Sequence, residues 1–468
     1  MNPKTLIRRI APATLVAGAL LAGGGILWTG VASAADYAPG QVVVGYEQPG
    51  VAAASDPAVA AAVNGGAPPP SVATKVVRVP RGMTVVTELR RLRRQPGVAF
   101  AVPDYLARVA ATSPPQWLPN DPGTAGGPGG WEKTQWNFLP GVGVNAPEAW
   151  ANLSADHRPG ARGVVIAVLD TGVAYRNWHQ FRKSPDFTYT RFVDPWDFVA
   201  NNRYPLDREG HGTFVAGTIA ESTNNGVGLT GLAYEASIMP VRVLNSSGWG
   251  DASTIAKGIR YAVTHGAQVI NLSLEFGLSV TAGDIPTILS AIHFAHQHGV
   301  AVVGASGNES STRIAYPARA SDVISVGATT YDRCLAWYSN DGPRLDLVAP
   351  GGGDDFGVSN DPNCHPDRLN LPDIYQMTFG NPARPWHFSS PSGWYGTSMA
   401  APHVAAAAAM VIASGVLGRH PSPAAILRRL ETTAQPLGGS QPNSDYGWGL
   451  VNIGAATAPL GAPPATSS

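Results

Sequence analysis

Val164-Val165-Ile166-Ala167-Val168-Leu169-Asp170-Thr171-Gly172 joins six apolar residues to an acid, a hydroxyl and a glycine. An apolar run this short, closed by turn residues, reads as a strand buried on both faces. Runs at 237–244, 269–272, 300–304 and 323–327 read the same way. Helical patterns lie between several of them, notably at 254–265 and 285–297. Buried strands alternating with helices predict an α/β fold, a doubly wound and mostly parallel sheet with helices on both faces. In such a sheet the reactive groups stand at the carboxyl ends of the strands, which is where Asp170 falls.

The chain of 468 residues is long enough for that core and for a second, smaller unit. Lys plus Arg balance Asp plus Glu at 32 each, so no basic bias points to nucleic acid or an anionic membrane surface. The two cysteines, Cys334 and Cys364, are too few for a disulfide framework or a C-x-x-C zinc or redox pair. In an exported chain they can form one bridge, and the sequence alone leaves bridge and free thiols both open.

Export is the expectation from the N-terminus. Lys4, Arg8 and Arg9 precede an apolar run from Ile10 to Trp28, and Ala32-Ser33-Ala34 offers a small-x-small cleavage site. Residues 1–34 therefore read as a signal peptide, with an uncleaved anchor as the rival reading. Residues 35–112 read as a small α+β unit, with strands at 41–46, 75–79 and 98–102. Its helix at 85–94 carries Val86, Leu89 and Leu92 on one face. A Pro/Gly-rich arm at 113–130 opens the large unit, 113–468. The apolar run 398–417 has the look of a membrane helix but reads better as a buried core helix, leaving no membrane span in the mature chain.

Three motifs carry chemistry. Asp170-Thr171-Gly172 ends the first strand, Gly210-His211-Gly212-Thr213 opens a helix, and Gly396-Thr397-Ser398-Met399-Ala400 opens another. The first two are weak alone, since each also serves as an ordinary turn, whereas the third is specific. Together and in this order they resemble the subtilase (subtilisin-like) serine proteases, and the likeness runs from about Trp117 to Ile453.

That resemblance implies a secreted serine endopeptidase. His211 would take the proton of Ser398, and Asp170 would orient the imidazole and stabilise its charged form. Ser398 at a helix N-terminus would offer backbone N–H groups to an oxyanion, with Asn308 of Ala305-Ser306-Gly307-Asn308 as the side-chain donor. The substrate strand would lie between Ser247-Gly248-Trp249-Gly250 and Ser273-Leu274-Glu275, above a pocket floored near Ala315. A roomy apolar pocket there would favour Phe, Tyr, Leu or Met before the cleaved bond, unless Glu275 or Glu309 points into it and admits Lys or Arg. The 35–112 unit resembles the inhibitory propeptide of the family, expected to act as an intramolecular inhibitor and to be cut between about Leu106 and Ser113. Partners are then peptide or protein substrates, with the mature enzyme a monomer and no cofactor required for the chemistry.

Two departures stand out. Phe214 occupies a position that is often histidine in the family, and an insertion of about 45 residues precedes Gly396. Asp361, Asn363, Cys364, His365 and Asp367 of that insertion alternate in a way that suits Ca2+. Their spacing matches no EF-hand, so a polar loop is the plainer reading and the metal site stays unknown. His403 reads as a packed helix residue. Against the hydrolase stand a non-catalytic scaffold, motivated only by Phe214 and the insertion, and an esterase using the same triad.

Overall fold

The computed structural model describes residues 37–46, 73–105, 118–155 and 157–460. The expected signal peptide and the expected maturation site near 106–113 lie outside them. The chain divides into two compact units, 1–108 and 109–468.

In the first unit, β1 (Tyr37–Tyr46) is the middle strand of an antiparallel sheet, between β2 (Ala73–Arg78) and β3 (Val98–Tyr105). Helix α1 (Val85–Leu92) is capped by the Thr84 side chain, which accepts from Thr87 N. Leu89 and Leu92 join Val42, Val44 and Ala101 in a small core. Val86 does not: it is 51% exposed, and Val85 packs instead. The inward stripe is thus 85, 89 and 92, a cleaner i, i+4, i+7 set than the one starting at 86.

In the large unit an all-parallel sheet runs β11–β10–β9–β8–β4–β7–β5, with β6 also on β7. The strands are β4 (Val165–Asp170), β5 (Arg191–Phe192), β6 (Trp196–Asp197), β7 (Ser237–Arg242), β8 (Val269–Leu272), β9 (Ala301–Ala305), β10 (Ile324–Thr329) and β11 (Leu347–Pro350). Alternation decides the layers. Ile166 and Val168 of β4 enter one core with Val215, Ile219, Val404 and Ile426, while Ala167 and Leu169 enter the other with Ile255, Ile259, Ile288 and Ile292. Helices α2 (Trp131–Thr134), α3 (Ala146–Ala155), α4 (His211–Ala220), α7 (Thr397–Ser414), α8 (Pro423–Thr433) and α9 (Ile453–Thr457) supply the first layer. Helices α5 (Ala252–Thr264) and α6 (Pro286–Gln297) supply the second.

From β4 the chain goes to β7 on one side and then crosses to β8 on the other. This reversal opens a crevice at the carboxyl end of β4. Helix α7 is apolar enough to span a bilayer, but it is 89% buried in the protein, as the core reading requires. The arm read as a linker is docked from residue 118 onward: Asp121 is buried and accepts from the backbone N–H groups of Asn224, Asn225 and Gly226. Cys334 and Cys364 form a disulfide.

Candidate active site

Asp170, fully buried, ends β4, and His211 begins α4. The two meet because Gly212 lets the helix press against the strand end: a Cβ there would fall 2.1 Å from Gly172 O. His211 Nδ1 lies 2.8 and 3.0 Å from the two oxygens of Asp170. A carboxylate only accepts, so Nδ1 carries a proton, and in the neutral imidazole Nε2 keeps its lone pair. Burial pushes His211 down, but the charges of Asp170, Glu209 and Asp207 push it up further, to about 9.

Asp207 organises this turn and was not foreseen. Oδ1 accepts from Thr171 Oγ1, Glu209 N and Gly210 N, and Oδ2 accepts from the N and Oγ1 of Thr213. The available signal was an acid three residues before Gly210-His211, where a carboxylate can collect the free N–H groups of a helix start.

Ser398 stands in the first turn of α7. Its Oγ donates to Ser273 O at 3.3 Å rather than to His211, and both side chains line one cavity of about 360 Å³. Loose nucleophile–base contacts are common before substrate binds. Pro402 explains how this turn is tied to the cleft wall. Lacking an N–H, it leaves Ser398 O unpaired within the helix, and Ser273 Oγ donates to that oxygen at 2.8 Å. Ser273 Oγ in turn accepts from Asn271 Nδ2. Asn308 Oδ1 accepts from Thr397 N at 2.8 Å and from Thr397 Oγ1 at 3.0 Å, which fixes the amide with its NH2 turned the other way. Met399 N and Ala400 N donate to Gly396 O, while Ser398 N has no acceptor among the described residues.

The cavity also gathers Ser247, Gly248, Trp249, Gly250, Ser273, Leu274 and Glu275. Trp249 is 76% exposed on its rim. Ala305, Ser306, Gly307 and Ala315 are buried and do not line it. His403 is fully buried: its Nδ1 donates to Met399 O, its Nε2 faces Asn137 Nδ2, and burial pushes it down to about 4. It is a packed, neutral residue, as expected.

Phe214 and the insertion explain one another. The ring is fully buried and stacks on Trp394 of the insertion at 4.9 Å and 20°, in a cluster with Trp136, Ile374 and Met399. The acidic loop of the insertion is structural too. Tyr446 OH donates to Asp361 Oδ2 and Asn363 N donates to Asp361 Oδ1, while Cys364 is in the disulfide. Among the described residues no group of three or more His, Cys, Asp or Glu stands at metal-ligand geometry.

A buried aspartate bonded to a partly exposed histidine, which shares a cavity with a helix-N-terminal serine on a doubly wound parallel sheet, equips a protein for hydrolysis through a serine. Residues 161–449 match the subtilase family of peptidases, and residues 29–104 match the fervidolysin N-terminal prodomain. The chain belongs to the subtilase family and is a subtilisin-like serine peptidase with a prodomain-like region. It is 32% identical over 360 residues to a thermophilic serine proteinase of Bacillus sp. (strain AK1), covering 77% of this chain and 73% of that one. It is 37% identical over 297 residues to subtilisin Savinase of Lederbergia lenta, covering 63% and 91%. Among solved structures, a protease of Pseudoalteromonas arctica PAMC 21717 superposes with a TM-score of 0.58 at 29% identity, covering 73% of this chain and 99% of that one.

Proposed function

We propose that this peptidase is a secreted endopeptidase that works through an acyl-enzyme on Ser398. The observation that carries the acyl-enzyme reading is His211, bonded to Asp170, on the same cavity as Ser398. His211 Nε2 takes the serine proton as the hydroxyl attacks the peptide carbonyl. It then passes that proton to the leaving amine, and later deprotonates the water that releases the acid. Asp170 holds the imidazole tautomer and stabilises the imidazolium. Ser398 N–H and Asn308 Nδ2–H receive the oxyanion, and losing the Asn308 donor costs roughly 10²–10³ in turnover. Replacing Ser398 with Ala should abolish hydrolysis of a peptide anilide and labelling by a serine-directed phosphonate. Unchanged turnover rules out the assignment.

The same proposal assigns 1–34 as signal peptide, 35–112 as inhibitory propeptide and 113–468 as a monomeric catalytic unit. Self-maturation follows from it, so a Ser398→Ala precursor should stay uncut in the absence of other proteases. Specificity is broad: the apolar preference expected directly before the cleaved bond is proposed instead for residues further from it on the N-terminal side, because Glu275 lines the cavity beside Ser398. Leu244, Trp249, Ile255, Leu274 and Phe276 on the cavity wall support this. Structural Ca2+ belongs to the proposal away from the reacting groups. Asp121, Asp186 and Glu221 are buried close enough for their charges to act on one another, although the three do not converge at metal-ligand distance. A hard cation with oxygen ligands would offset their charge.

A further inference from the structure

Glu275 lines the cavity beside Ser398, and its carboxylate lies over Gly307. A Cβ on Gly307 would meet Asn340 Nδ2 first, then Glu275 Oε2 at 2.5 Å and Glu309 Oε2 at 2.9 Å, so two carboxylates and one amide gather above a residue that has no side chain. Glu275 accepts from Asn308 N at 3.1 Å and from Asn308 Nδ2 at 3.4 Å. Glu309 Oε2 accepts from Asn340 Nδ2 at 2.6 Å. Both acids are thus held by neutral amides, and neither has a Lys, Arg or His partner among the described residues. Burial, and then the charge of Glu309, push Glu275 up to about 7. Glu309 is the charged group that acts on it.

A substrate carbonyl attacked by Ser398 and received by Asn308 brings the side chain of its own residue to the wall where Glu275 touches Asn308. We propose that Glu275, backed by Glu309, selects Lys or Arg as the residue directly before the cleaved bond. This rests on the serine-hydrolase reading of the same site and names its substrate class. The apolar wall then serves residues further from the cut. A guanidinium or ammonium supplies the cation that the acid pair lacks, and Arg can span both carboxylates. By taking over the Glu275 oxygens it also releases Asn308 Nδ2 toward the oxyanion, so the preference should appear in kcat as well as in KM.

The test uses the native protein and matched peptide anilides that differ only in the residue before the cut: Arg, Lys, Phe or Leu. The native enzyme should favour Arg and Lys in kcat/KM. Glu275→Gln should cut the Arg-to-Phe ratio by roughly 10- to 100-fold, the scale of a hydrogen bond to a charged group. Glu309→Gln should cut it less. In the native enzyme the ratio should rise as pH passes through about 7, where Glu275 ionises. A ratio unchanged in Glu275→Gln overturns the proposal. So does a native ratio that favours Phe, a result that needs no variant to fold. Phosphonate labelling separates the two readings: a labelled native protein with no Arg preference sinks this inference alone, whereas a native protein that takes no label sinks the hydrolase reading beneath it.

Discussion

Asp207 offers the sharpest test of how the His211 turn is built. Its carboxylate is 1% exposed and accepts five hydrogen bonds, three at Oδ1 and two at Oδ2. Asn has the same shape but one acceptor oxygen. With that oxygen in the Oδ1 place, the three bonds from Thr171, Glu209 and Gly210 survive. The new NH2 then faces Thr213, whose hydroxyl can rotate to accept but whose N–H cannot. One buried donor is left unpaired and the charge-assisted bonds are weakened, so Asp207→Asn should cost about 1–3 kcal/mol. In a catalytic unit of this size that lowers Tm by several degrees. The Ser398→Ala background keeps self-digestion out of the melting curve. In active enzyme the same change removes one of the charges that raise His211. His211 acts as a base only when neutral, so the rising limb of kcat against pH should move to lower pH. An unchanged Tm together with an unmoved limb would refute the role given to Asp207.

Phe214→Ala should cost about 3–5 kcal/mol through the cavity it leaves and the lost Trp394 stacking, read as a lower urea midpoint; a cost under 1 kcal/mol would mean the insertion packs without it. Replacing Cys334 and Cys364 with Ser reopens a loop whose ends are 30 residues apart, so stability should fall by about 3–4 kcal/mol, measured by thermal unfolding against the intact protein. In the metal-free protein, burial, and then the charge of Asp121, push Asp186 up to about 8. Between about 4 and 8 the unfolded chain has therefore released a proton that the folded chain retains, and stability falls as pH rises through that window. Asp186→Asn should flatten the fall in Tm from pH 5 to pH 8, and Ca2+ should raise Tm more at pH 8 than at pH 5; a chelator without effect at pH 8 would count against the cation.

Legibility in the sequence followed the physics of each element. Strands β4, β7, β8, β9 and β10 were readable because burial on both faces leaves an unbroken apolar run, and helices α5 and α6 because their apolar positions recur every three to four residues. β5 and β6, two residues each, carry no periodicity at all. Val86 was misplaced because Val85 and Val86 are equally apolar, and only packing on β1 and β3 chooses between them. The arm at 113–130 looked like a linker because Pro and Gly mark irregular backbone. Irregular backbone still docks where a buried acid such as Asp121 can satisfy three N–H groups of a neighbouring loop.

The site divides along the same line. Asp170, His211, Ser398 and Asn308, on which the proposed roles fall, stand out in the sequence because each lies at or shortly beyond the end of a regular element, inside a short motif that needs glycine or a small residue beside it. The groups that hold them were not visible: Asp207 lies outside any motif, and Ser273 matters only because Pro402, far along the chain, frees the Ser398 carbonyl for it. Glu275 is the instructive case. In sequence it is one acid after Ser273-Leu274, and its direction is undetermined. In the fold, Gly307 vacates the space that a side chain would fill, and the Asn340 amide shares it with the carboxylates of Glu275 and Glu309, Glu275 lying against Asn308. A glycine on one segment thus decides where a charge on another segment points. In the proposed mechanism Asn308, the side-chain donor to the oxyanion, therefore begins the reaction bound to an acid. Under that proposal a substrate either tolerates the acid beside its carbonyl or brings a cation to it, so the choice of side chain and the assembly of the oxyanion site become one event.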